Sequence, residues 1–287
     1  MPARVYVVGS TNIDRTVGVA RLPVRGETAL GETLHSSAGG KGANAAAAAA
    51  RAGAPTTLIA AVGDDPDGEL AIATSRTEGV DVGGIAILAG ETTGAALIMT
   101  DPAGDNLIAV AAGANAHLRP EHVHAALEPA ERRDVILISA EIPDDAIAAA
   151  LTLADERGIT AVLDPAPARP ELLELLHLHA LVTPNQAEAT ALTGQSEPES
   201  AARTLAALTQ RPAIVTTGAD GCVVDDGTRI THHPAQPADH VVDSVGAGDA
   251  FAGALAAALA AGETLTEAID RGARAAAASL GHAGARP

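Results

Sequence analysis

This 287-residue sequence predicts an α/β fold: a mainly parallel central sheet with helices on both faces, an α/β/α sandwich, and a small β-sheet lid. Three observations carry that expectation. Short apolar runs alternate with helical patterns through most of the chain. Two stretches break the rhythm with β-favouring segments and no helix between them. Hydrophobic residues make up 47% of the chain but aromatic ones only 1%, so the core is built from Ala, Val, Leu and Ile, which suits helices packed closely on a parallel sheet.

In chain order, Val5–Val8 reads as a strand that begins almost at once. Thr57–Val62, Val135–Ile138, Thr160–Leu163, Ala180–Val182 and Ala213–Thr216 are further short runs rich in Val, Ile and Leu. Several are followed by polar or Gly/Pro turns and then by helical patterns, as in Asp144–Arg157 and Ser200–Thr209, the signature of βαβ units. The exceptions are residues 15–37 and 85–110. Within the second, Thr92–Thr100 and Asn106–Val110 flank Asp101-Pro102-Ala103-Gly104-Asp105 and read as a hairpin. These two stretches form the expected lid on one domain spanning 1–287, either covering the site or making a dimer surface.

A net charge of −18 argues against nucleic acid or an anionic membrane as a partner. The single cysteine, Cys222, allows no internal disulfide and points to a reducing compartment. The N-terminus lacks the pattern of a signal peptide, and the alanine runs are too short and weakly apolar to span a bilayer. The expectation is a soluble, cytoplasmic protein.

Two stretches carry the chemistry. In Asp243-Ser244-Val245-Gly246-Ala247-Gly248-Asp249, following a strand-like Val241-Val242, the residues Gly246, Ala247 and Gly248 would present N–H groups at the start of a helical run, where the macrodipole favours an anion. Asp249 would repel a phosphate but is well placed to take a proton from a hydroxyl attacking one. Gly246-x-Gly248 also reads as a plain tight turn with an N-terminal acid. Neither a Walker-type loop nor a dinucleotide fingerprint is present.

The second stretch, Gly39-Gly40-Lys41-Gly42-Ala43-Asn44, opens another helix and contains the only lysine; every other residue among the 18 Lys+Arg is arginine. A compact ammonium fits between glycines where a planar guanidinium would not. Asn44 offers donors and an acceptor to sugar hydroxyls. Asn12 and Asp14 follow the first strand's C-terminal end, where open α/β sheets bind ligands, although Asp14 alone reads equally as a turn residue.

Gly9-Ser10-Thr11-Asn12-Ile13-Asp14, the Gly-Gly-Lys-Gly-Ala-Asn stretch, Asn185-Gln186-Ala187-Glu188 and Gly-Ala-Gly-Asp occur in that order. Together they resemble the ribokinases within the PfkB family of sugar kinases. So do Val62-Gly63-Asp64-Asp65, Gly113-Ala114-Asn115-Ala116, Asp164-Pro165-Ala166-Pro167-Ala168 and Thr216-Thr217-Gly218-Ala219-Asp220-Gly221. The resemblance covers essentially the whole chain. It implies a ribokinase-like sandwich with a β-lid, and ATP-dependent phosphorylation of D-ribose at the 5-hydroxyl. By the same resemblance, Asp249 is the base and Gly246–Gly248 the anion hole. Asn12, Asp14, Gly40, Lys41, Gly42, Asn44 and Glu141 line the sugar pocket. Asn185, Thr216, Thr217, Gly218, Ala219, Asp220 and Gly221, with Gly248, hold the nucleotide. Glu188 acts on Mg2+ through water. Asp243, Val245, Ser279, His282 and Gly284 correspond to a K+ site, and a homodimer through the lid is the family's default.

The chain departs from relatives at Ala273, where an Asn near adenine is usual. It departs again at Gly281-His282-Ala283-Gly284-Ala285, and the sequence stops at Pro287, before the position of a Ser and a final helical segment that relatives usually have. These changes bear on the nucleotide edge and the cation site. A kinase for another sugar, a nucleoside or a sugar phosphate stays open, with Arg15, Arg21 and Arg25 as candidate phosphate contacts. So does a non-catalytic sugar-binding protein. The pairs His232-His233, His122-x-His124 and His177-x-His179 read as surface residues, and Cys222 as a small residue near a strand.

Overall fold

A computed structural model describes residues 2–238, 240–282 and 284–285. The chain runs β1 (Val5–Val8), β2 (Asn12–Val19), β3 (Gly31–Gly39), α1 (Lys41–Arg51), β4 (Thr56–Gly63), α2 (Pro66–Thr77), β5 (Asp81–Leu88), β6 (Gly94–Thr100) and β7 (Asn106–Ala111). It continues through α3 (Pro120–Leu127), β8 (Val135–Ser139), α4 (Asp144–Arg157), β9 (Thr160–Asp164), β10 (Leu181–Val182), α5 (Gln186–Thr193) and α6 (Pro198–Thr209). The last elements are β11 (Ala213–Thr216), β12 (Cys222–Asp225), β13 (Ile230–His233), α7 (Ala247–Ala260) and α8 (Leu265–Ser279).

Nine strands form the main sheet in the order β13-β12-β11-β10-β9-β8-β1-β4-β5. Every pairing from β5 to β11 is parallel, and β12 and β13 add an antiparallel edge. The apolar runs are buried on both faces because side chains alternate across a strand. Tyr6 and Val8 join one core cluster with residues of α3 to α6, while Val5 and Val7 join the other with α1, α7 and α8. The second cluster is rich in alanine, and the helices there come very close. A Cβ at Gly253 of α7 would run into the Ala45 carbonyl of α1. The only phenylalanine, Phe251, is buried, and a Cβ at Gly272 of α8 would stand 2.9 Å from its ring.

The chain enters the sheet at β1, proceeds to β4 and β5 on one side, and returns to β8 and beyond on the other. That reversal opens a crevice beyond the C-terminal ends of β1 and β8, where open α/β sheets take their ligands. The second sheet, in the order β3-β2-β6-β7, is the lid over that side.

The lid differs from its sequence-derived bounds. Its strands start at Asn12 and end at Gly39, and residues 85–88 belong to β5 of the main sheet. An edge strand with one half-exposed face alternates as a lid strand does, so the pattern of 85–88 fits both. Val241 and Val242 form no strand; they are 70% and 61% exposed, and the Val242 N–H donates to the Leu280 carbonyl at 2.7 Å. Ala283 and Pro287 lie outside the described residues.

Candidate active site

Two helices begin at glycines in the crevice. Gly40 caps α1 at φ 89°, a conformation that glycine alone adopts without strain. A Cβ at Gly40 would stand 2.7 Å from Thr11 Cα, and one at Gly42 2.6 Å from the Gly9 carbonyl carbon. The first turn of α1 thus lies directly on the backbone following β1, with the Ala43 N–H donating to the Ser10 carbonyl at 2.9 Å. That packing aims Lys41 and Asn44 into the crevice.

Gly246 caps α7 at φ 80°, and Asp249 sits in the first turn. Asp249 is 4% exposed, its Oδ2 accepts a 2.8 Å hydrogen bond from Asn44 Nδ2, and Lys41 Nζ lies 3.6 Å from its Oδ1. Burial raises the Asp249 pKa, while Lys41 and the Asn44 hydrogen bond oppose the rise. A carboxylate whose pKa is raised accepts a proton more readily than an ordinary one. A Cβ built at Gly248 meets nothing within 4 Å. The first N–H groups of a helix have no acceptor within it; here the Ala247 N–H donates to the Ser244 carbonyl at 3.3 Å, while Gly248 beside it adjoins open space where an anion would have room.

Lys41 is surrounded by acids. Burial works against its charge, but Asp249, Asp164, Glu141 and Glu188 outweigh that and raise its pKa. The crowding read around this lysine belongs to Gly40 and Gly42; the lysine side chain itself is 31% exposed and turned toward Asp249. Glu141, just beyond β8, accepts from Ser10 Oγ at 2.6 Å and from the Lys41 backbone N–H at 3.3 Å. Asn12, almost fully buried, pairs with Gly39 and Gly94 across β2, and Asp14 lies two residues on along the same face, its carboxylate where a Gly39 side chain would be.

On the neighbouring strands, Asn185 and Glu188 form a capping box at the start of α5: Asn185 Oδ1 accepts from the Glu188 N–H at 2.9 Å, and Glu188 Oε2 accepts from the Asn185 N–H at 2.8 Å. Asn185 also bridges to Thr216 at the end of β11. Thr217 donates its N–H to the Gly221 carbonyl at 2.8 Å, closing the turn Gly218–Asp220, in which Ala219 and Asp220 are exposed. A third group gathers beside Gly246. Asp243 Oδ1 accepts from the Val245 N–H and Oδ2 from the Gly284 N–H, both at 3.0 Å, and the His282 N–H donates to the Ser279 carbonyl at 3.2 Å. A Cβ at Gly246 would stand 2.6 Å from Ala285, so this segment backs directly onto the start of α7.

Sequence reasoning left three site residues without a role. Asp164, ending β9, is 8% exposed, and burial pushes its carboxyl up to about 8 against the lowering effect of Lys41. Its signal was available: an acid closing an apolar run, the position already used to single out Asn12 and Asp14. Ser10 orients Glu141, and Asn115 holds Asn12. Elsewhere His179 pairs with Asp155 and His232 with Glu199, and burial pushes the Cys222 thiol up to about 11.

Known proteins are similar to this chain in sequence and fold. The chain is 35% identical over 282 residues to a ribokinase of Bacillus subtilis, covering 98% of this chain and 94% of that protein. It is 36% identical over 265 residues to a bifunctional ribokinase/ribose-5-phosphate isomerase A of Fructilactobacillus sanfranciscensis, covering 89% of this chain and spanning about half (48%) of that longer protein. The structure of Arabidopsis thaliana ribokinase complexed with ribose and ATP superposes with a TM-score of 0.88 at 30% identity, covering 99% of this chain and 95% of the other. The family model for pfkB family carbohydrate kinases matches residues 2–287. With the lid, the two glycine-led helix starts and the buried Asp249 all present in one chain, this protein belongs to the PfkB family of carbohydrate kinases.

Proposed function

We propose that the protein transfers the γ-phosphoryl group of ATP to the 5-hydroxyl of D-ribose, giving ribose 5-phosphate and ADP. The observation that carries this reading is the buried Asp249 at the start of α7, bonded to Asn44 and facing Lys41. Asp249 takes the hydroxyl proton as the oxygen attacks the γ-phosphorus and the bond to ADP breaks. The N–H groups of the Gly246–Gly248 turn and the Lys41 ammonium offset the charge on the transferring group. Asn12, Asp14, Gly40, Lys41, Gly42, Asn44 and Glu141 hold the sugar; Asn185 and Thr216–Gly221 hold the nucleotide.

Among the described residues no three His, Cys, Asp or Glu side chains cluster as a metal cage. Mg2+ would arrive on the phosphates with its water shell, and Glu188 would act on it through water; the ion would neutralise phosphate charge. K+ would be held by Asp243 and the carbonyls of Val245, Ser279, His282 and Gly284, steadying the start of α7. Leu34, Leu97, Ile108 and Val110 of the lid strands are each more than half exposed, which supports a homodimer through the lid. Among the described residues no helix is long and apolar enough to cross a membrane, and the one buried free cysteine suits the cytoplasm.

A sugar that already carries a phosphate is the weaker reading. Arg15 follows Asp14 on β2 and so points to the opposite face, where it grips both oxygens of Asp67 at 2.9 and 2.8 Å. Arg21 is likewise bound to both oxygens of Glu27. The test is ATP-dependent ADP release with ribose, 2-deoxyribose, adenosine and fructose 6-phosphate, with the product's phosphorylated carbon identified by NMR. Ribose should give the highest kcat/KM and a 5-phosphate. No ribose-dependent ADP release would overturn the assignment.

A further inference from the structure

The lid joins the main sheet through a buried polar knot that has a direct consequence for the sugar site. Asn115 is 2% exposed, and its amide grips one peptide of the chain from both sides: Oδ1 accepts from the Thr11 N–H at 3.0 Å, and Nδ2 donates to the Thr11 carbonyl at 3.1 Å. A backbone N–H only donates and a carbonyl only accepts, so the orientation of the Asn115 amide is forced. Its second amide hydrogen is left for Asn12, 2.7 Å away, and the atom it meets must be the Asn12 oxygen. The Asn12 nitrogen is thereby turned the other way. Gly94 faces Asn12 across the β2–β6 pairing, and a Cβ there would collide with both Asn12 Oδ1 and Asn115 Nδ2. The glycine makes room for this contact.

We infer that Asn115 is a positioning residue that sets the polarity of the sugar site, locking Asn12 as a hydrogen-bond donor toward one sugar hydroxyl. The inference rests on the reading of Asn12 as a sugar contact. An amide free to flip could offer either its oxygen or its nitrogen, and a hydroxyl would be met by either. A locked one favours the hydroxyl lone pair at one position and stereochemistry, and a site built to bond a hydroxyl discriminates against sugars lacking it.

The test is a double-mutant cycle on ribose kinetics. Asn115→Asp keeps the shape but cannot donate to Asn12, so the Asn12 amide should flip. KM for ribose should rise about tenfold, the scale of one hydrogen bond, with kcat and KM for ATP little changed. On an Asn12→Ala background the same substitution should leave KM where Asn12→Ala alone set it. Should the Asp variant fold poorly by thermal melting, Asn115→Ala carries the same cycle. A KM effect of Asn115→Asp that persists undiminished on the Asn12→Ala background, or no effect at all, would overturn the inference. If Asn12→Ala itself leaves KM for ribose unchanged, the underlying assignment of Asn12 fails, and the inference falls with it.

Discussion

The two glycine-led helix starts meet at Asp249, but Gly42 in one and Gly248 in the other are small for opposite reasons. At α1 the missing side chains are filled by protein: a Cβ at Gly40 or Gly42 would stand within 3 Å of the backbone after β1. At α7 Gly248 adjoins open space, with nothing within 4 Å of where a side chain would begin. The first set lets the chain approach itself closely enough to deliver Lys41 and Asn44. The second leaves open space beside Gly248 at a helix N-terminus. A glycine motif therefore carries different information depending on what fills the missing methyl. One kind marks internal packing, the other room for a ligand.

The largest expected effect removes the residue where the two starts join. Asp249→Asn keeps the Asn44 contact region and the shape but cannot accept a proton, so steady-state turnover should fall about 10²–10⁴-fold. Thermal melting should show the fold retained, since a buried carboxylate is replaced by a neutral amide. Turnover near wild type would remove Asp249 from the chemistry.

Lys41 comes next. With Asp249 as the proposed base, activity requires it ionised and should be lost as pH falls through its raised pKa. The Lys41 charge opposes that rise, so Lys41→Met should move the acid limb of kcat/KM to higher pH and lower turnover by roughly 10²-fold. Lys41→Arg keeps the charge and, with the lysine side chain 31% exposed, should leave the limb in place while losing less turnover. Equal limbs in all three proteins would separate the lysine from the base.

The smallest effect concerns stability. Asp164 in the folded protein holds its proton up to about pH 8, whereas an unfolded Asp releases it near ~3.9. Because the folded pKa is raised, the associated stability is fully present below the unfolded value and is lost as pH rises through the folded one. Asp164→Asn removes that loss. Its Tm should exceed wild type by roughly 5 °C at alkaline pH, and the two should converge at acid pH. A constant offset across the range would show that the carboxyl titrates normally.

The strands and most helices were legible because Val5–Val8, Val135–Ser139 and similar runs are buried on both faces and read as such directly. Asp249, Lys41 and Asn44 were legible because glycines and helix starts flank them. What was not legible depends on packing between distant elements. Asn115 meets Asn12 across 103 residues, and the Gly113-Ala114-Asn115-Ala116 stretch marked a family likeness without revealing that contact. Asp164 showed an acid closing an apolar run, but its place beside Lys41 follows from β9 pairing with β8, which the sequence did not show. Glu188 showed its spacing but not that its carboxylate would close a capping box with Asn185. Residues 85–88 were misplaced because alternation reports one exposed face, not which sheet owns the strand.

The difference between the two helix starts is tested most directly by adding one methyl group to each and measuring melting temperature and turnover on both proteins. Gly42→Ala forces its Cβ against the Gly9 backbone and should lower Tm by roughly 5–10 °C, as overpacking of a tight contact does. Gly248→Ala meets no atom and suits a helix, so Tm should hold within about 2 °C, while the methyl intrudes where the phosphoryl group is received and turnover drops about 10²-fold. A Gly248→Ala protein that turns over at the wild-type rate, or a Gly42→Ala protein as stable as wild type, would contradict the account.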